Sequence, residues 1–280
     1  MSAMLYLVPT PIGNLGDISQ RCRETLEAAD FIAAEDTRVT LKLLNHLGIK
    51  KSLVSYYEHN KAAQGSRIVE RILGGETCAL VSDAGSPAIS DPGEDLVKQC
   101  AAAGIPVCAI PGPCAAITAL SISGQATGRF CFEGFLSTAK KSRREHLESL
   151  KSEQRTMIFY EAPHKLLTTL ADMAEVFGGE RPLSLCRELT KLHEEVVRTT
   201  LAEALERYTQ TPPKGEFVLI VAGAKPEEKE IPSETDAAVR LAELIAQGLS
   251  RKDAVKQTAK ELGLSKNAVY EIALKDSEKE

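Results

Sequence analysis

Short apolar segments alternate with amphipathic segments over the first 120 residues. The apolar segments LYLVPT, FIAAED, CALVSD and VCAIPG each precede a segment whose apolar residues recur at helical spacing. Strand–helix alternation predicts a mainly parallel sheet with helices on its faces, and nearly continuous apolar strands are typical when both faces are covered. The helical segments are QRCRETLEAA, RVTLKLLNHLG, GEDLVKQCAAAG and CAAITALSIS.

A polar stretch, SGQATGR at 123–129, interrupts this pattern before a second set of strands. These strands are richer in aromatic and β-branched residues, which favours a mixed or largely antiparallel sheet. Helices are expected after the first three or four of them. The chain is therefore predicted to form an N-terminal α/β domain over 1–120 and a second over 121–224, with a cleft between them. The strand segments are RFCFEGF, TMIFYEA, PLSLCREL, EEVVRTTL and GEFVLIVAG.

The C-terminal segment changes character again. Residues 225–235 are charged, contain proline and lack apolar periodicity, so they are predicted to be a linker. Residues 236–280 then show two amphipathic helices, a turn at Gly263, an N-cap at Ser265 and a third helix, KNAVYEIAL. This order is typical of a helix-turn-helix domain that binds nucleic acid. A purely structural cap or a dimerisation arm is the alternative.

Composition narrows the class of protein. Apolar residues make up 43% and charged residues 26% of the 280 residues, as in ordinary globular domains. No run approaches the roughly 18 apolar residues of a membrane span, and the N-terminus lacks a secretory signal. The seven cysteines are odd in number and form no C-x-x-C pair, and the five histidines form no cluster. We expect a reduced, cytoplasmic protein without a metal site.

The net charge of −5 has the wrong sign for a protein that coats nucleic acid. A polyanionic partner would have to be bound by local basic patches. Two such patches exist, TAKKSRREHLESLKSEQR at 138–155 and RKDAVKQTAKELGLSK at 251–266. Either patch could also be an ordinary solvated helix face.

Ligands of open α/β sheets bind beyond the carboxyl ends of the strands, so the chemistry is expected there. The four strand ends of the first domain are rich in glycine, proline, serine and aspartate. No G-x-G-x-x-G fingerprint and no G-x-x-x-x-G-K-[ST] loop occurs, which argues against a dinucleotide-dependent dehydrogenase and an NTPase. The strand-end sequences are VPTPIGNLGD, AAEDTR, VSDAGSPAISDPG and IPGPCAA.

Eight motifs carry a resemblance that extends over about residues 4–275. They occur in the order LYLVPTPIGNLGDIS, AAEDTR, SYYEHN, ALVSDAGSPAISDPG, PGPCAAITALSISG, FYEAPH, CRELTKLHEE and KGEFVLIV. Together they resemble the bacterial 16S ribosomal RNA (cytidine-2′-O)-methyltransferases, which have the tetrapyrrole-methylase fold. The resemblance implies an S-adenosylmethionine-dependent enzyme that methylates the ribose of cytidine 1402 in 16S rRNA of the 30S subunit. It also implies a homodimer.

The same resemblance implies which residues bind S-adenosylmethionine between the two domains. Small residues let the backbone approach such a ligand closely. Asp83 is placed to hydrogen-bond the cofactor, although it could instead cap the following turn. The implied cofactor residues are Pro11, Ile12, Ser82, Asp83, Ala84, Gly85, Ala88, Cys114, Ala115, Tyr160 and Glu161.

Methyl transfer to a ribose oxygen needs alignment above all, together with an acceptor for the hydroxyl proton. The candidate acceptors are Glu35, Asp36 and His59, with Glu133 as a further possibility. Glu35 could equally form an ion pair with Arg38 at the start of a helix. The guanidinium fork of Arg38 suits a phosphate. The complete set of expected substrate contacts is Arg38, Asn60, Lys140, Lys141, Arg143 and Arg144.

Two other functions are compatible with parts of the pattern. A methyltransferase of the same fold could act on a porphyrin-like or corrinoid ring, although a flat macrocycle needs no basic helical appendage. A non-catalytic DNA-binding regulator could use the helix-turn-helix alone, but it would not need the second α/β domain.

Overall fold

The computed structural model describes residues 3–225 and 233–277. The chain divides into two compact units, Met1–Ala224 and Lys225–Glu280, which are described separately. Most of the predicted linker, residues 226–232, lies outside the described residues. Within the described ranges, no helix has both the length and the apolar character needed to cross a bilayer.

The first sheet of the larger unit has five parallel strands in the order β3-β2-β4-β1-β5. The central strands β2 and β4 are buried along their whole length, as their apolar sequences predict. The predicted parallel sheet is confirmed. The strands are β1 (Leu5–Leu7), β2 (Phe31–Ala34), β3 (Ser52–Ser55), β4 (Cys78–Val81) and β5 (Val107–Ala109).

Four helices connect these strands, one in each crossover. Asp36 caps α2 by accepting a hydrogen bond from the Arg38 N–H, and Gly48 ends it at φ 73°. The sequence pattern identified neither β3 nor α3. Strand β3 lies at the sheet edge and is partly exposed, so it lacks the continuous apolar run of a central strand. The helices are α1 (Gln20–Ala28), α2 (Thr37–Leu47), α3 (Lys61–Leu73) and α4 (Gly93–Ala102).

The second sheet is mixed, in the order β6-β7-β10-β8-β9. Its β6–β7 pair is parallel and the other pairs are antiparallel, which confirms the predicted mixed sheet. The sequence predicted a helix after the third strand of this sheet, and that prediction is wrong. Strands β8 and β9 pair as a hairpin with no helix between them. The strands are β6 (Phe130–Phe135), β7 (Thr156–Glu161), β8 (Pro182–Arg187), β9 (Glu195–Thr200) and β10 (Phe217–Val221).

Helices cover both faces of the second sheet. One face carries the large core formed with α6, α7 and α8, and the other is covered by α5. Ala116, Ala119 and Leu120 of α5 pack on Ile158 and Ile220. We call β1–β5 with α1–α4 the first lobe, and β6–β10 with α5–α8 the second lobe. These last helices are α5 (Ala115–Ser123), α6 (Lys140–Ser149), α7 (Pro163–Phe177) and α8 (Leu201–Gln210).

Within the smaller unit, the described residues 233–277 form three helices around an apolar core that includes Leu241, Val255 and Val269. Gly263 has a φ of 65°, the left-handed turn expected of it, and the Ser265 hydroxyl caps the third helix by accepting from the Ala268 N–H. The helical C-terminal domain is confirmed. Its helices are α9 (Glu234–Ala246), α10 (Arg251–Leu262) and α11 (Lys266–Ser277).

Candidate active site

Hydrogen bonds join the loops that follow the strands of the first sheet. Thr10, after β1, forms a two-way backbone bridge with Gly85, after β4, with both N···O distances 3.0 Å. The Thr10 hydroxyl donates to the Ser82 carbonyl at 3.1 Å. Gly85 has a φ of 83°, which favours glycine, and a Cβ there would lie 3.3 Å from Ile12. The β1 and β4 loops therefore form one rigid edge.

The loops after β2 and β5 are held to the same edge. The Asp36 N–H donates to Asp83 Oδ1 at 3.0 Å, which fixes the end of β2 beside the β4 loop. The Ser86 hydroxyl donates to the Pro113 carbonyl at 3.0 Å, which fixes the loop before α5. Four strand ends that are far apart in sequence thus meet as one surface, as parallel strands require.

This surface forms one wall of a cleft of about 420 Å³ between the two lobes. The volume lies within the usual range of ligand pockets. Small residues of the first lobe line one side and strand ends of the second lobe line the other. The lining residues are Ile12, Glu35, Ser82, Asp83, Ala84, Gly85, Ser86, Ile89, Ser90, Asp91, Cys114, Ala115, Phe135, Tyr160, Glu161, Ala162, Cys186, Glu188, Leu189, Lys191, Glu216, Phe217 and Val218.

Tyr160 anchors the second-lobe wall to the start of α5. Its hydroxyl oxygen accepts a hydrogen bond from the Ala116 N–H at 3.1 Å, and its ring packs edge-on against Phe132 and Phe135. Burial raises the pKa of Tyr160 to about 12, so it stays a neutral phenol. The neighbouring Glu161 is buried and bonded to the Thr169 hydroxyl at 2.5 Å and to the Ala162 N–H.

Carboxylates dominate the charge of the cleft. Glu35 at the end of β2 is partly buried, and this burial, with the nearby charges of Asp83 and Asp91, raises its pKa. The lining holds six carboxylates and one ammonium group, that of Lys191. The cleft therefore favours a cationic ligand and disfavours a polyanion in its interior.

Asp91 has a carboxylate oxygen that is left without a partner. Its Oδ1 accepts from the Ala88 and Gly93 N–H groups at 2.9 and 2.7 Å. Its Oδ2 is buried and has no hydrogen-bond partner in the described residues. Burial raises the pKa of Asp91. Ala88 and Ser90 beside it have φ values of 69° and 62°, so the loop is strained where it borders the cleft.

The turn between β8 and β9 closes another side of the cleft. Glu188 has a φ of 50°, and its Oε1 accepts from Lys191 Nζ and from the Glu216 N–H, both at 2.9 Å. Gly13 of the first lobe lies against this turn, where a Cβ would meet Lys191 Cγ at 2.5 Å. The two lobes therefore approach closely enough here to require glycine.

The structure brings most of the expected cofactor residues together in the cleft lining. Pro11 and Ala88 are the two that do not line it, although each adjoins a lining residue, Ile12 or Ile89. The roles of all of them stay predictions. Those in the lining are Ile12, Ser82, Asp83, Ala84, Gly85, Cys114, Ala115, Tyr160 and Glu161.

Of the four candidate proton acceptors, only Glu35 lines the cleft, and Glu133 instead pairs with His146 at 2.9 Å. Asp36 forms a bidentate pair with Arg38, with distances of 3.0 and 2.6 Å, and this hydrogen bonding lowers its pKa to about 2. Arg38 thus pairs with Asp36, and the alternative pair with Glu35 is not formed. His59 is exposed on the turn after β3, with its ring edge-on to Tyr57.

The expected substrate contacts fall into different environments. The Asn60 amide accepts from the Tyr57 N–H and donates to the Ser55 carbonyl, so it holds its own turn together. Lys140 and Lys141 are exposed at the start of α6, and Arg144 pairs with Glu175. The expected substrate contact of Arg143 is corrected by its position in the structure.

Arg143 is buried, with 6% of its surface exposed. Its Nε donates to Asp172 Oδ2 at 2.7 Å, and its Nη1 donates to the carbonyls of Ser137 and Thr138. With its side chain buried and its Nε and Nη1 bonded within the protein, Arg143 is not placed to bind a phosphate. The basic run KKSRR predicts a charged helix. Only the packing of this helix against the rest of the second lobe shows which of its basic side chains is buried.

Sequence reasoning missed several lining residues, including Asp91, Phe135 and Glu188. Asp91 lay inside the quoted segment SDAGSPAISDPG, where its position before Pro92 was a recognisable turn signal. Phe135 and Glu188 carried no signal of their own. Their place in the cleft depends on how the second sheet packs against the first lobe.

Comparison with known proteins agrees with this architecture. The sequence model of the tetrapyrrole (corrin/porphyrin) methylases matches residues 4–205, and that of the RsmI C-terminal HTH domain matches residues 232–277. The solved uroporphyrin-III C-methyl transferase from Thermus thermophilus, complexed with S-adenyl homocysteine, has the same fold. Its TM-score is 0.55 at 15% identity, over 77% of this chain and 96% of that one. The fold and the cleft define a protein of the tetrapyrrole-methylase class.

Full-length relatives specify the family within this class. A protein from Halalkalibacterium halodurans named ribosomal RNA small subunit methyltransferase I is 51% identical over 96% of this chain and 93% of its own length. Its namesake from Synechocystis sp. is 49% identical over 97% of both chains. The chain belongs to the ribosomal RNA small subunit methyltransferase I family.

Proposed function

We propose that this protein transfers the methyl group of S-adenosylmethionine to the ribose 2′-oxygen of cytidine 1402 in 16S rRNA of the small ribosomal subunit. Membership of the ribosomal RNA small subunit methyltransferase I family supports rRNA as the substrate. The observation that carries the proposal is the carboxylate-lined cleft at the ends of the parallel strands, which has room for a nucleoside cofactor. The site of action would be the cytoplasm.

The residues of the cleft fit this cofactor chemically. S-adenosylmethionine is a cation at its sulfonium and its ammonium group, and the lining offers six carboxylates. The small side chains of Ala84, Gly85 and Ala115 leave backbone groups within reach of a ligand. Asp91 Oδ2 supplies a buried acceptor that has no donor among the residues that the structure describes.

We assign cofactor binding to the loops after β1, β4 and β5 and to the end of β7. Ser82–Gly85 and Cys114–Ala115 would contact the adenosine and methionine portions, while Ile12 and Tyr160 would border the reacting centre from opposite lobes. When bound, the cofactor supplies a methyl group that is already activated by the positive sulfur. The protein then has to align the acceptor oxygen and exclude water, effects that can contribute roughly 7–11 kcal/mol.

Glu35 is the proposed proton acceptor for the ribose hydroxyl. It lines the cleft, and its raised pKa makes its carboxylate a better base than an ordinary glutamate. Asp36 is less suited, because Arg38 lowers its pKa to about 2. We assign Asp36 a positioning role, because its backbone N–H donates a hydrogen bond to Asp83. We propose that His59 lies on the side of the site that faces the substrate.

The RNA backbone would be held at the rim of the cleft. Lys140 and Lys141 are exposed at the start of α6, and the Arg38 side chain is 87% exposed. Arg144 and Asn60 would add contacts to the RNA backbone through those N–H groups that are not already bonded to their neighbours in the protein. Such contacts fix position and carry no sequence information. Local cations thus allow RNA binding despite the net charge of −5.

The helix-turn-helix unit is the second proposed RNA contact, and the enzyme is proposed to act as a homodimer. The proposed N-terminal domain, second domain, linker and C-terminal domain are residues 1–120, 121–224, 225–235 and 236–280, although α5 spans the first of these boundaries and α9 begins at Glu234.

The decisive experiment uses 30S subunits from cells that lack this gene. Incubation of the purified protein with methyl-labelled S-adenosylmethionine should place one methyl group on the ribose of cytidine 1402, detected by mass spectrometry of RNase fragments. A parallel incubation with a uroporphyrinoid or corrinoid ring should give no labelled product. Label on a base, on another nucleotide or on the macrocycle would refute the proposal.

A further inference from the structure

Strand β6 contains a bulge beside the cleft. The pairing with β7 runs from Phe130 opposite Thr156 to Phe132 opposite Ile158, and then skips Glu133, so that Gly134 pairs with Phe159. Gly134 has a φ of 63°, a conformation that glycine adopts without strain. Bulges next to active sites commonly redirect a side chain.

The redirected side chain is that of Phe135. In a regular strand, residues 132 and 135 would point to opposite faces of the sheet. The extra residue places Phe135 opposite Tyr160, on the face that already holds Phe132. The ring centroids of Phe132 and Phe135 lie 5.1 and 5.4 Å from that of Tyr160. The bulge thus builds an aromatic cluster at the mouth of the cleft.

Phe135 is nonetheless 57% exposed. Ile89, which also lines the cleft, is 46% exposed. The two lobes come close beside them, because a Cβ on Gly134 would lie 3.2 Å from Ser90 Oγ. An apolar entrance formed from both lobes therefore remains open to solvent, beside a cleft whose charged groups are mainly carboxylates.

The charges around this entrance indicate what it accepts. The six carboxylates of the lining repel phosphates, so the phosphates that flank the target nucleotide are expected to stay outside the cleft. Lys140 and Lys141 are exposed at the start of α6, five residues after Phe135 in the chain. A nucleotide with its phosphates at these lysines would present an uncharged base to the apolar entrance. Extruded bases are commonly stacked on aromatic side chains.

We propose that Phe135 is the stacking platform for the nucleobase of the nucleotide that is methylated, with Ile89 as the opposing apolar contact. This inference rests on the proposed function, because it assumes an RNA substrate. Stacking against Phe135 fixes the nucleotide so that its ribose faces Glu35 and the cofactor loops. Phe135 is a substrate-binding residue that no sequence motif had indicated.

The kinetic test compares Phe135→Ala with Phe135→Tyr and with Phe130→Ala. Phe130 is an exposed aromatic residue at the far end of the same strand, which makes it a matched control. With 30S subunits lacking the modification, we expect Phe135→Ala to lose about 5- to 150-fold in kcat/KM, the range for loss of one base–aromatic stack. Phe135→Tyr and Phe130→Ala should stay close to the wild-type value. Because Phe135 also packs on Tyr160, the S-adenosylmethionine affinity of each variant is measured by calorimetry, and a loss of cofactor affinity in Phe135→Ala as large as its loss of kcat/KM would refute the platform.

A direct test uses the absence of tryptophan from the sequence. Phe135→Trp introduces the only tryptophan of the chain at the proposed platform, and Phe130→Trp introduces it at the control position; excitation at the red edge of the tryptophan band separates its emission from that of the tyrosines. Addition of unmodified 30S subunits should quench the fluorescence of the Phe135→Trp protein and leave that of the Phe130→Trp protein unchanged. Equal responses of the two proteins would overturn the proposal.

The remaining outcomes separate this inference from the proposed function. If wild-type protein does not methylate 30S subunits, the proposed function fails. If it does, and Phe135→Ala is as active as wild type, the function stands and the platform is refuted. If Phe135→Ala lowers the mass found by sedimentation, Phe135 packs against a second copy of the chain, and the platform is likewise refuted.

Discussion

Adjacent carboxylates at the end of β2 have opposite acid–base properties. Glu35 has a raised pKa because it is partly buried near Asp83 and Asp91, whereas the pKa of Asp36 is lowered to about 2 by its bonds with Arg38. A pair of titratable groups whose environments move their pKa values apart often marks an acid–base site. The identity of the two residues as acids could be seen in the sequence, but their opposite shifts could not.

Glu35→Gln is the first prediction. The amide cannot accept the ribose proton, so kcat should fall by about 10²- to 10⁴-fold, while S-adenosylmethionine affinity changes little. The wild-type rate should rise with pH as Glu35 ionises, and this rise should be absent from the variant. Single-turnover methylation of 30S subunits over a pH series provides the measurement. A similar loss in Asp36→Asn, with an unchanged pH profile in Glu35→Gln, would contradict the assignment.

The same substitution has a predicted effect on stability. When a carboxyl group has a higher pKa in the folded protein than in the unfolded chain, the protein loses stability as its carboxyl ionises. The loss begins near the unfolded-state pKa of about 4.3 and is complete above the folded-state pKa. Gln resembles the protonated form, so Glu35→Gln should have the higher Tm at neutral pH, and the difference should vanish in acid. Thermal unfolding of the wild-type protein and the variant over a series of pH values tests this prediction independently of catalysis.

Helix α6 shows how one basic run divides between two functions. Arg143 faces the core and pairs with Asp172, and both side chains are less than one-tenth exposed. Lys140 and Lys141 face solvent. Helical periodicity separates positions that are adjacent in the sequence, so charge alone does not indicate which residues can meet RNA.

Arg143→Ala should destabilise the protein by about 3–5 kcal/mol, because it leaves Asp172 as a buried unpaired charge. Urea denaturation gives the free energy of unfolding. The control is Arg144→Ala, which removes a partly exposed pair with Glu175 and should cost about 1 kcal/mol or less. Equal stability of the two variants would show that the buried pair is not formed.

The double substitution Lys140→Ala and Lys141→Ala should leave the Tm unchanged and weaken RNA binding. Each lost phosphate contact should reduce the slope of log K against log salt concentration by about 0.7. Affinity for unmodified 30S subunits, measured across a salt series, is the readout. Lys98→Ala, which removes an exposed lysine of α4, serves as the control. An unchanged slope in the double variant would exclude this end of α6 from the RNA contact.

At the scale of the whole molecule, catalysis and a large part of RNA recognition are expected to reside in different units. The unit Met1–Ala224 contains both sheets and the entire cleft, and the unit Lys225–Glu280 has its own apolar core. Linked binding modules gain affinity because the second contact becomes intramolecular.

Truncation after Ala224 should therefore retain S-adenosylmethionine binding and lose RNA affinity. We expect an unchanged cofactor dissociation constant by calorimetry, together with a KM for 30S subunits raised by about 10²-fold or more. Circular dichroism before and after truncation checks that the first unit keeps its fold. Wild-type kinetics in the truncated protein would show that the helix-turn-helix unit does not contribute to substrate binding.

The sequence alone predicted both sheets, the helical C-terminal domain and the strand-end loops that line the cleft. These features depend on local periodicity and on turn residues such as Gly263 and Ser265, which act over a few positions. It missed β3, because an edge strand lacks a continuous apolar run, and it placed a helix after β8, where the structure has a hairpin to β9. The local pattern does not specify which strands become neighbours.

Tertiary structure decided what the local pattern could not. It joined Thr10 to Gly85 and Asp36 to Asp83, buried Arg143, and raised the pKa of Glu35. It also placed Phe135 at the mouth of the cleft through a one-residue bulge. Each of these outcomes depends on groups far apart in the chain, because burial, electrostatic coupling and strand register are properties of the packed molecule.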